Sequence, residues 1–589
     1  MLLPRPLSAG LLSAVLALSS QAFATDPVVC IDENDFAGPP VAPAPQALNT
    51  GLPRTVYEGG TPPGLDPNRP VLVFVHGLNG SGNGWYGETN YYGRNDMYDT
   101  VYAAGYKAFI VDLYDVGAQA ETSITNGSLL KSQIDFIRNY WGVSEVNVIG
   151  HSKGGPDANF AAIQGAAIDT IVSLSAPHYG SPLADLAQTD WLEWLSDLIG
   201  FNDAGTKFLQ TGCMSLARSY LDRSPVNNDL HLYTVAGTGW GPFLSAQEFG
   251  GLYLYTVCPG GENDGVVCVE HARHPLSRDA NGATSGQHRL VWDLSGPDYE
   301  VDHDKIRRGS GFFDFFWFWE PNDCYVPIFD SIEPYAGVFH GFGPDDPERA
   351  LNAKAPSADL VATPPTAPPF NADGELSTLI RGGALEAGVT EIEFPVETDV
   401  RAMDVRVLSG RGSTRMELIA PNGDVHRLSA ARASNDALFN HALVSGTRLA
   451  ANAMARAAGT WRLRFTANER DAYALLARLD SPLQLALSAP KEASFNVPTE
   501  VAVSLSGQIR NVDVAARVRR TSTAGAAEEV GRFGASTAQP LALPLREPGV
   551  YNVALTITGT TIDGKPFERS RVLSYAVQDP QRPLPQACQ

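Results

Sequence analysis

A serine between glycines is the first residue in this sequence whose surroundings favour chemistry. The stretch VNVIGHSKGG, residues 146–155, is an apolar run that stops at GHSKG, with Ser152 at its centre. Flanking glycines allow close packing where a strand turns sharply into a helix, and such a turn projects a hydroxyl into a cleft near the positive end of the helix. The pattern predicts a nucleophile, although an ordinary glycine turn has the same letters.

A serine nucleophile needs a base, an acid that orients the base, and donors for the oxyanion. Upstream of the serine, VFVHGLNGSG (residues 73–82) is an apolar strand followed by a glycine-rich loop. The backbone N–H groups of Leu78 and Lys153 are therefore the natural oxyanion donors, and one such donor lowers the barrier by roughly 3–4 kcal/mol. A simple strand-ending turn at His76 and Gly77 is the alternative.

The elements that must position these residues are apolar strands alternating with helical stretches. Five nearly continuous hydrophobic runs suit parallel strands buried on both faces. They are PVLVFVH (70–76), YKAFIVDL (106–113), VSEVNVIG (143–150), DTIVSLSA (169–176) and LHLYTVAG (230–237). Residues 127–142 carry apolar residues at helical spacing and predict a crossover helix. Residues 70–353 are thus predicted to form a mostly parallel sheet with helices on both faces.

A Pro-rich linker at residues 354–374 separates this part from a different pattern. Alternating apolar and polar residues predict two all-β sandwiches, at 375–480 and 481–579, before a tail at 580–589. The first resembles the jelly-roll modules of secreted bacterial hydrolases, and the second resembles an immunoglobulin-type module. Pro421-Asn422-Gly423-Asp424 predicts a hairpin turn. Because the linker is stiff, we expect little contact across it and independent folding of each part.

Composition and the N-terminus indicate an exported globular protein. The 589 residues exceed what one core usually supports. Residues 1–24 predict a signal peptide whose apolar run is too short to span a membrane. Residues 25–69, rich in Pro and Gly, are read as an extended lead-in, and no later stretch resembles a transmembrane helix. The net charge of −22 disfavours nucleic acid and strongly anionic substrates.

Five blocks in order resemble those of secreted bacterial triacylglycerol lipases, which are α/β-hydrolases. The blocks are PVLVFVHGLNG, VNVIGHSKGGPD, SLSAPHYGSPLAD, NDGVVCVEH and DYEVDHDKI, within about residues 68–310. The resemblance implies Ser152 as nucleophile, Asp264 as acid and His303 as base, in the chain order typical of that fold. Five blocks in the same order indicate the family more specifically than the serine pattern alone.

The residues by themselves leave alternatives for the acid and the base. Asp264 lies in PGGENDG, which also favours a plain turn. Glu262 and Asp293 are the reserve acids, and His288 is the reserve base. Further candidates for the base are His271, His274 and His340. His151, next to the serine, is interpreted as a structural residue.

The sequence departs from the resembling family at its structural calcium site. Lys305 stands two residues after the implied base, where the family has an aspartate ligand. Residues 235–251 offer only Glu248 as a carboxylate, although Asp304 adjoins the lysine. We therefore expect no calcium, no other metal and no cofactor.

Six cysteines in an exported chain suggest disulfides, with fifteen possible pairings. The resemblance matches Cys268 to a disulfide cysteine, and Cys258 is the nearer partner for it. That bridge would close a short loop containing Asp264. A pairing of Cys588 with Cys30 is a further alternative.

Two apolar segments indicate the class of substrate. Residues 191–199 have apolar residues mainly at helical spacing, as a lid over the site or as a helix packed on the core. The run FFDFFWFW, residues 312–319, packs against the sheet or forms an aromatic rim around a cleft. Both fit a hydrophobic ester better than a charged metabolite.

The sequence thus predicts a secreted serine ester hydrolase of the lipase or esterase type, acting on hydrophobic esters and possessing no transmembrane segment. An extracellular polyester depolymerase, with β modules that grip an insoluble solid, is the alternative within enzymes. An exported adhesive protein with a degenerate hydrolase half is the alternative of another class. The sequence does not separate an insoluble lipid from a polymer surface as the substrate.

Overall fold

The computed structural model describes most of the chain in separate ranges. They are residues 31–32, 38–115, 120–192, 202–221, 224, 226, 230–274, 301–313, 324–338, 374–433, 441–454, 458–490, 493–506, 509–522, 525–536, 540–577 and 588. The predicted signal peptide, nearly all of the linker and most of the proposed lid lie outside these ranges. So do His288, Asp293 and His340. Of the aromatic run, only Phe312 and Phe313 fall inside them, on a strand.

A seven-stranded sheet forms the centre of the N-terminal half, residues 31–338. Its strands are β2 (Gln46–Leu48), β3 (Val56–Glu58), β4 (Leu72–Val75), β5 (Ala108–Val111), β6 (Val146–His151), β7 (Ile168–Leu174) and β8 (His231–Val235), in the spatial order β2-β3-β5-β4-β6-β7-β8. The five strands β4 to β8 are parallel, which confirms the five predicted runs. The lead-in is not merely extended, because β2 and β3 add antiparallel strands at the β5 edge.

Helices cover this sheet on both sides. They are α1 (Met97–Ala103), α2 (Ser123–Trp141), α3 (Gly154–Ile163), α4 (Pro182–Ala187), α5 (Ala204–Phe208), α6 (Thr211–Leu221), α7 (Ala246–Val257), α8 (Val269–Ala272) and α9 (Ile328–Ala336). The predicted crossover helix is α2. Its Thr122 side chain accepts from the Thr125 N–H at the start, and Gly142 ends it with φ of 80°. A small separate sheet joins β1 (Ile31–Asp32), β10 (Cys324–Pro327) and β9 (Ser310–Phe313).

Two hydrophobic cores lie on opposite faces of the main sheet. Phe74 belongs to one core, whereas its strand neighbours Val73 and Val75 belong to the other. The same alternation separates Phe109 from Ile110 on the next strand. Burial on both faces explains why these strands read as continuous apolar runs.

The C-terminal half, residues 374–577, contains two antiparallel β-sandwiches. The first joins the sheets β12-β20-β14-β18-β17 and β13-β19-β15-β16, and the second joins β11-β21-β22-β25 and β24-β23-β26-β27. The elements are β11 (Gly374–Glu375), β12 (Thr378–Leu385), β13 (Gly388–Val396), β14 (Ala402–Ser409), β15 (Arg415–Ile419), β16 (Val425–Arg427), β17 (Ser429–Arg432), β18 (Leu443–Leu449), α10 (Ala451–Met454), β19 (Gly459–Ala467), β20 (Asp471–Asp480), β21 (Gln484–Ser488), β22 (Thr499–Ser506), β23 (Ile509–Ser522), β24 (Gly525–Ser536), β25 (Leu541–Leu543), β26 (Gly549–Thr561) and β27 (Pro566–Val577). The predicted hairpin turn connects β15 and β16, and Gly423 there has φ of 92°.

The two halves pack together, so the expectation of little contact between them is wrong. Leu186 and Phe249 of the N-terminal half share one hydrophobic cluster with Leu408 and Val444 of the first sandwich. Val550 of the second sandwich packs into another cluster with α6 residues. The composition of the linker gives no information about the surfaces of the two halves, and these surfaces are apolar and complementary.

Buried polar contacts add to this interface. The Arg406 guanidinium on β14 donates to the Glu248 carboxylate at 2.7 Å, and both side chains are largely buried. Gln210 donates to the Thr521 hydroxyl at 2.9 Å. Removing one partner of a buried ion pair such as Arg406–Glu248 typically destabilises the fold by about 3–5 kcal/mol, because the other charge is left buried without a partner.

The disulfides differ in part from the expected pairing. Cys258 and Cys268 are bonded, with a Cα–Cα distance of 5.5 Å, which confirms that hypothesis. Cys588 is bonded to Cys213 on α6 and not to Cys30, across 375 residues of sequence. This second bond fastens the end of the C-terminal half to the N-terminal half. Among the described helices, none has the length and apolar character needed to cross a membrane.

Candidate active site

The turn between β6 and α3 places Ser152 in a left-handed backbone conformation, with φ of 54°. A non-glycine residue there costs about 1–3 kcal/mol and needs support from its surroundings. The support is close packing of glycine backbones. A Cβ on Gly154 would lie 2.6 Å from the His76 carbonyl oxygen, and one on Gly150 would lie 2.8 Å from that of Gly154. The two glycines of the motif are therefore required by contact.

The loop that follows β4 lies directly beside the serine. A Cβ on Gly77 would come within 2.6 Å of the Ser152 Cβ and 3.1 Å of its Oγ. Gly77 accepts from the Gly80 N–H at 3.1 Å, which makes a tight turn containing Leu78. On the other side of the serine, Lys153 is the N-cap residue of α3. The two predicted oxyanion donors thus border the serine from two loops.

The structure brings Asp264 and His303 together. The His303 Nδ1 lies 2.8 Å from the Asp264 Oδ2. The other oxygen of Asp264 accepts from the backbone N–H groups of Val266 at 2.9 Å and Val267 at 2.7 Å. Because an ionised carboxylate only accepts, Nδ1 carries the proton and Nε2 is left as a base.

His151 connects this pair to the serine turn. Its Nε2 lies 2.7 Å from the His303 carbonyl oxygen, and the centroids of the two rings are 4.7 Å apart. Burial, and then the proximity of His303, hold the pKa of His151 well below its usual value. A neutral ring that donates to a backbone carbonyl matches the predicted structural role of this residue. The contact also places the base next to the residue that precedes Ser152.

The disulfide and a side-chain cap hold the acid and the base in place. Cys258–Cys268 closes the loop that contains Asp264, and the Asn263 side chain accepts from the Gly265 N–H at 2.9 Å within it. Beyond the base, Asp302 accepts from the backbone N–H groups of Asp304 and Lys305, both at 2.8 Å. Sequence reasoning missed Asp302, although an aspartate three residues before a helical turn is a capping signal.

The other candidates that the structure describes occupy different surroundings. The His271 Nδ1 lies 3.1 Å from the Gly180 carbonyl oxygen, and burial lowers the pKa of His271 to about 4. The His274 Nε2 lies 3.4 Å from the Asn159 side-chain oxygen. Glu262 accepts from the Val269 N–H through its backbone carbonyl. Among the candidate carboxylates that the structure describes, Asp264 is the one that contacts His303.

Comparison with known proteins agrees with this architecture. Residues 70–237 match the family model of the alpha/beta hydrolase fold. The chain belongs to the α/β-hydrolase superfamily. This hydrolase is similar to the crystal structure of lipase BlEst2 from Bacillus licheniformis in its propeptide form, with 26% identity, a TM-score of 0.65, and coverage of 89% of this chain and 97% of that one. The mature form of BlEst2 is 33% identical over an alignment that covers 43% of this chain and 93% of that one, with a TM-score of 0.36.

Together, the fold and the similarity to the propeptide form of BlEst2 support a hydrolase of the lipase or esterase type. A base beside a strained serine, with backbone N–H groups on two loops, is suited to acyl transfer. In this hydrolase the parts come from the carboxyl ends of β4 and β6 and from loops beyond β8. Ligand sites of open parallel sheets lie at this edge.

The carboxylates near the family calcium position do not fit a metal site. Asp304 pairs with Arg307 at 2.5 Å, and Glu248 pairs with Arg406. The Lys305 ammonium lies 4.7 Å from the centroid of the Tyr92 ring. Within the part of the chain that the structure describes, no group of three or more potential metal ligands occurs. Arg307 and Arg406 thus already pair with Asp304 and Glu248, the two carboxylates that the sequence offered for calcium.

We propose, accordingly, that this hydrolase holds no calcium at that position. Incubation with EDTA should leave both the melting temperature and the rate of ester hydrolysis unchanged. The measurements are differential scanning fluorimetry and a p-nitrophenyl ester assay, with and without added calcium. A fall in melting temperature that calcium restores would contradict the proposal.

Asp264→Asn should reduce kcat strongly without unfolding the protein. An amide cannot fix the histidine tautomer that leaves Nε2 free, and the same change in a serine protease triad lowers kcat by about 10⁴. Glu262→Gln is the matched control, because it changes a carboxylate two residues away that is not bonded to His303. If the control lost activity and Asp264→Asn retained it, the acid would be misassigned.

Proposed function

We propose that the protein is an exported serine carboxylic-ester hydrolase that cleaves hydrophobic esters through an acyl-enzyme on Ser152. One observation carries the proposal: the Asp264–His303 hydrogen bond of 2.8 Å lies beside a turn that holds Ser152 at φ of 54°. The predicted signal peptide and the two disulfides support export.

The residues divide the reaction as follows. The His303 Nε2 takes the hydroxyl proton of Ser152 while Oγ attacks the carbonyl carbon of the ester. Backbone N–H groups of Leu78 and Lys153 stabilise the oxyanion of the tetrahedral intermediate. His303 then protonates the leaving alcohol, and an acyl-enzyme remains. In the second half, a water oxygen attacks the acyl carbon while His303 takes a proton from that water. His303 then returns the proton to the Ser152 Oγ as the bond to the acyl group breaks and the carboxylic acid leaves. Asp264 stabilises the imidazolium in each half.

Ser152→Ala should abolish hydrolysis and leave the fold intact, with a loss of roughly 10⁵–10⁶ in kcat. The assay panel contains short and long p-nitrophenyl esters, emulsified triglyceride and a polyester film, so it also separates a lipase from a polyester depolymerase. Ser175→Ala is the matched control, because Ser175 also has a left-handed backbone, with φ of 48°, at the end of the neighbouring strand.

A Ser152→Ala variant with a tenth of the wild-type rate would overturn the assignment of the nucleophile. A wild-type protein that hydrolyses nothing in the panel, and yet adheres to the polymer or lipid, would favour the exported binding protein. Loss of activity in both serine variants would indicate that these turns serve the fold and not the reaction.

We also propose that the C-terminal half is a removable segment that limits access to the site. The similar lipase was crystallised in a propeptide form, and the similarity extends over 97% of it. In this chain, the Ala433 carbonyl accepts from the Tyr91 hydroxyl at 3.1 Å and from the Ala246 N–H at 2.8 Å. Tyr91 in turn donates its N–H to Asp304, the neighbour of His303, at 3.2 Å. Two residues, Tyr91 and Asp304, therefore connect the first sandwich to His303.

A protease site inserted within residues 355–370 tests this proposal on the full chain. The cut chain should stay assembled, because the Cys213–Cys588 bond links the two pieces covalently. In a Cys213→Ser/Cys588→Ser background the pieces should separate, and the hydrolysis rate should then rise. A scrambled insertion is the control, and size-exclusion chromatography reports separation.

The other outcomes of the cut are also decisive. A loss of activity on insoluble substrates alone would mean that the sandwiches bind the enzyme to a surface, where a tether raises effective concentration. A loss on soluble esters as well would mean that they support the fold. Either result would contradict the removable cover.

A further inference from the structure

The side chain of Lys153 is a buried charge that the reaction described above does not use. It follows the nucleophile directly, and only its backbone N–H has a role so far. The side chain is completely buried. An ammonium group in such a place is unfavourable unless it is paired and hydrogen-bonded. Its partners therefore indicate what it does.

Two equally buried carboxylates bind this ammonium. The Lys153 Nζ donates to the two oxygens of Asp115 at 2.8 and 3.1 Å, and to both oxygens of Asp157 at 3.1 Å. Burial alone lowers the pKa of Lys153, but the two carboxylates outweigh it and the pKa is raised. The lysine is thus charged. Asp157 lies one turn further along α3, whereas Asp115 lies in the loop after β5.

Hydrogen bonds continue from this cluster to the loop after β5. The Asp157 carboxylate accepts from the Asn126 side chain at 3.1 Å, and the Asn126 oxygen accepts from the Tyr114 N–H at 3.1 Å. Asp115 accepts from the Glu121 N–H at 3.1 Å. The ammonium therefore joins the start of α3 to residues 112–115 and, through Asp115, to Glu121.

The same loop is bonded to the other side of the oxyanion site. The Leu113 N–H donates to the His76 Nε2 at 2.9 Å, and the His76 Nδ1 lies 2.9 Å from the Gly77 carbonyl oxygen. Since the N–H can only donate and the carbonyl can only accept, His76 is neutral with its proton on Nδ1. Gly77 immediately precedes Leu78. Hydrogen bonds and the short backbone segments 113–115 and 77–78 thus connect one oxyanion donor residue to the other.

We propose that the Lys153 ammonium is a positioning residue that holds the two oxyanion donors at a fixed separation. It acts through α3 on the Lys153 N–H, and through residues 113–115 and His76 on the Leu78 N–H. The inference rests on the proposed ester hydrolysis, because an oxyanion forms only in such a reaction. Without the ammonium, one of the two buried carboxylates would take up a proton, because two such charges do not both persist at close range, and the ion pairs at the start of α3 would be lost.

Lys153→Met tests this role, because methionine retains the length of the side chain and removes its charge. A displacement of about 1 Å at a catalytic group costs on the order of 10² in rate. We expect kcat to fall by about that factor, with KM nearly unchanged. Affinity for an alkyl trifluoromethyl ketone, which forms an oxyanion on the serine, should fall in parallel. Binding of the unreactive alcohol analogue should not change.

Lys107→Met is the matched control for stability. Lys107 is also buried, and its Nζ donates to Glu58 at 2.8 Å and to the Gly59 carbonyl at 2.7 Å, on the opposite side of β5 from the serine. It should lower the melting temperature and leave kcat and ketone affinity unchanged. Asp115→Asn provides a second variant, since it keeps the volume and one carboxylate partner. It should show a smaller loss of kcat and ketone affinity than Lys153→Met, and it replaces Lys153→Met as the test if that variant does not fold.

The readouts separate the failure of this inference from failure of the proposed function. If wild type is active and neither Lys153→Met nor Asp115→Asn changes kcat or ketone affinity relative to Lys107→Met, the positioning role is wrong. Equal losses of kcat in the Lys107 and Lys153 variants would mean that Lys153 contributes only to the stability of the fold. If wild type neither hydrolyses esters nor binds the ketone, the proposed function fails and this inference fails with it.

Discussion

The left-handed turn at Ser152 is the constraint on which the rest of the site depends. This backbone is unfavourable for a serine by about 1–3 kcal/mol, so the surrounding structure must hold it. Gly150 and Gly154 allow β4, β6 and the start of α3 to approach within contact distance. The parallel sheet therefore does more than provide a core. Its pairing of β4 with β6 brings the loop of Gly77 and Leu78 to the same edge as the serine.

Long-range contacts then assemble the remaining groups around this turn. His303 comes from a segment 151 residues beyond Ser152 and is held by Asp264, His151 and the backbone. The Asp264 loop is closed by Cys258–Cys268, while cations pair with the nearby carboxylates Asp304 and Glu248. One of those cations, Arg406, belongs to the first sandwich. The surroundings of the site are consequently shared by both halves of the chain.

The sequence predicted the parts that depend on local pattern. Continuous apolar runs identified the five parallel strands, because burial on both faces removes alternation. The glycines around Ser152 identified the turn. The family resemblance marked Cys268 as a disulfide cysteine, and the nearness of Cys258 suggested its partner. Resemblance to a family, and not spacing, supplied Asp264 and His303.

What could not be predicted depends on contacts between distant segments. Nothing local to Cys588 indicates Cys213, which lies 375 residues away. The Arg406–Glu248 pair and the shared hydrophobic clusters arise only when the sandwiches dock, and a Pro-rich linker carries no information about docking. Similarly, Asp115 and His76 are ordinary polar residues in the sequence, and only the fold places them in one network.

The role of Ser152 as the nucleophile is tested most directly by finding which residue becomes covalently modified by a reagent that reacts as the ester does. Wild-type protein would be treated with a long-chain fluorophosphonate, digested and mapped by mass spectrometry, with residual activity measured in parallel. The assignment of Ser152 as the nucleophile predicts one adduct per chain, on that residue, formed in proportion to the loss of ester hydrolysis. An adduct on a different residue, or full activity after complete modification of Ser152, would contradict it.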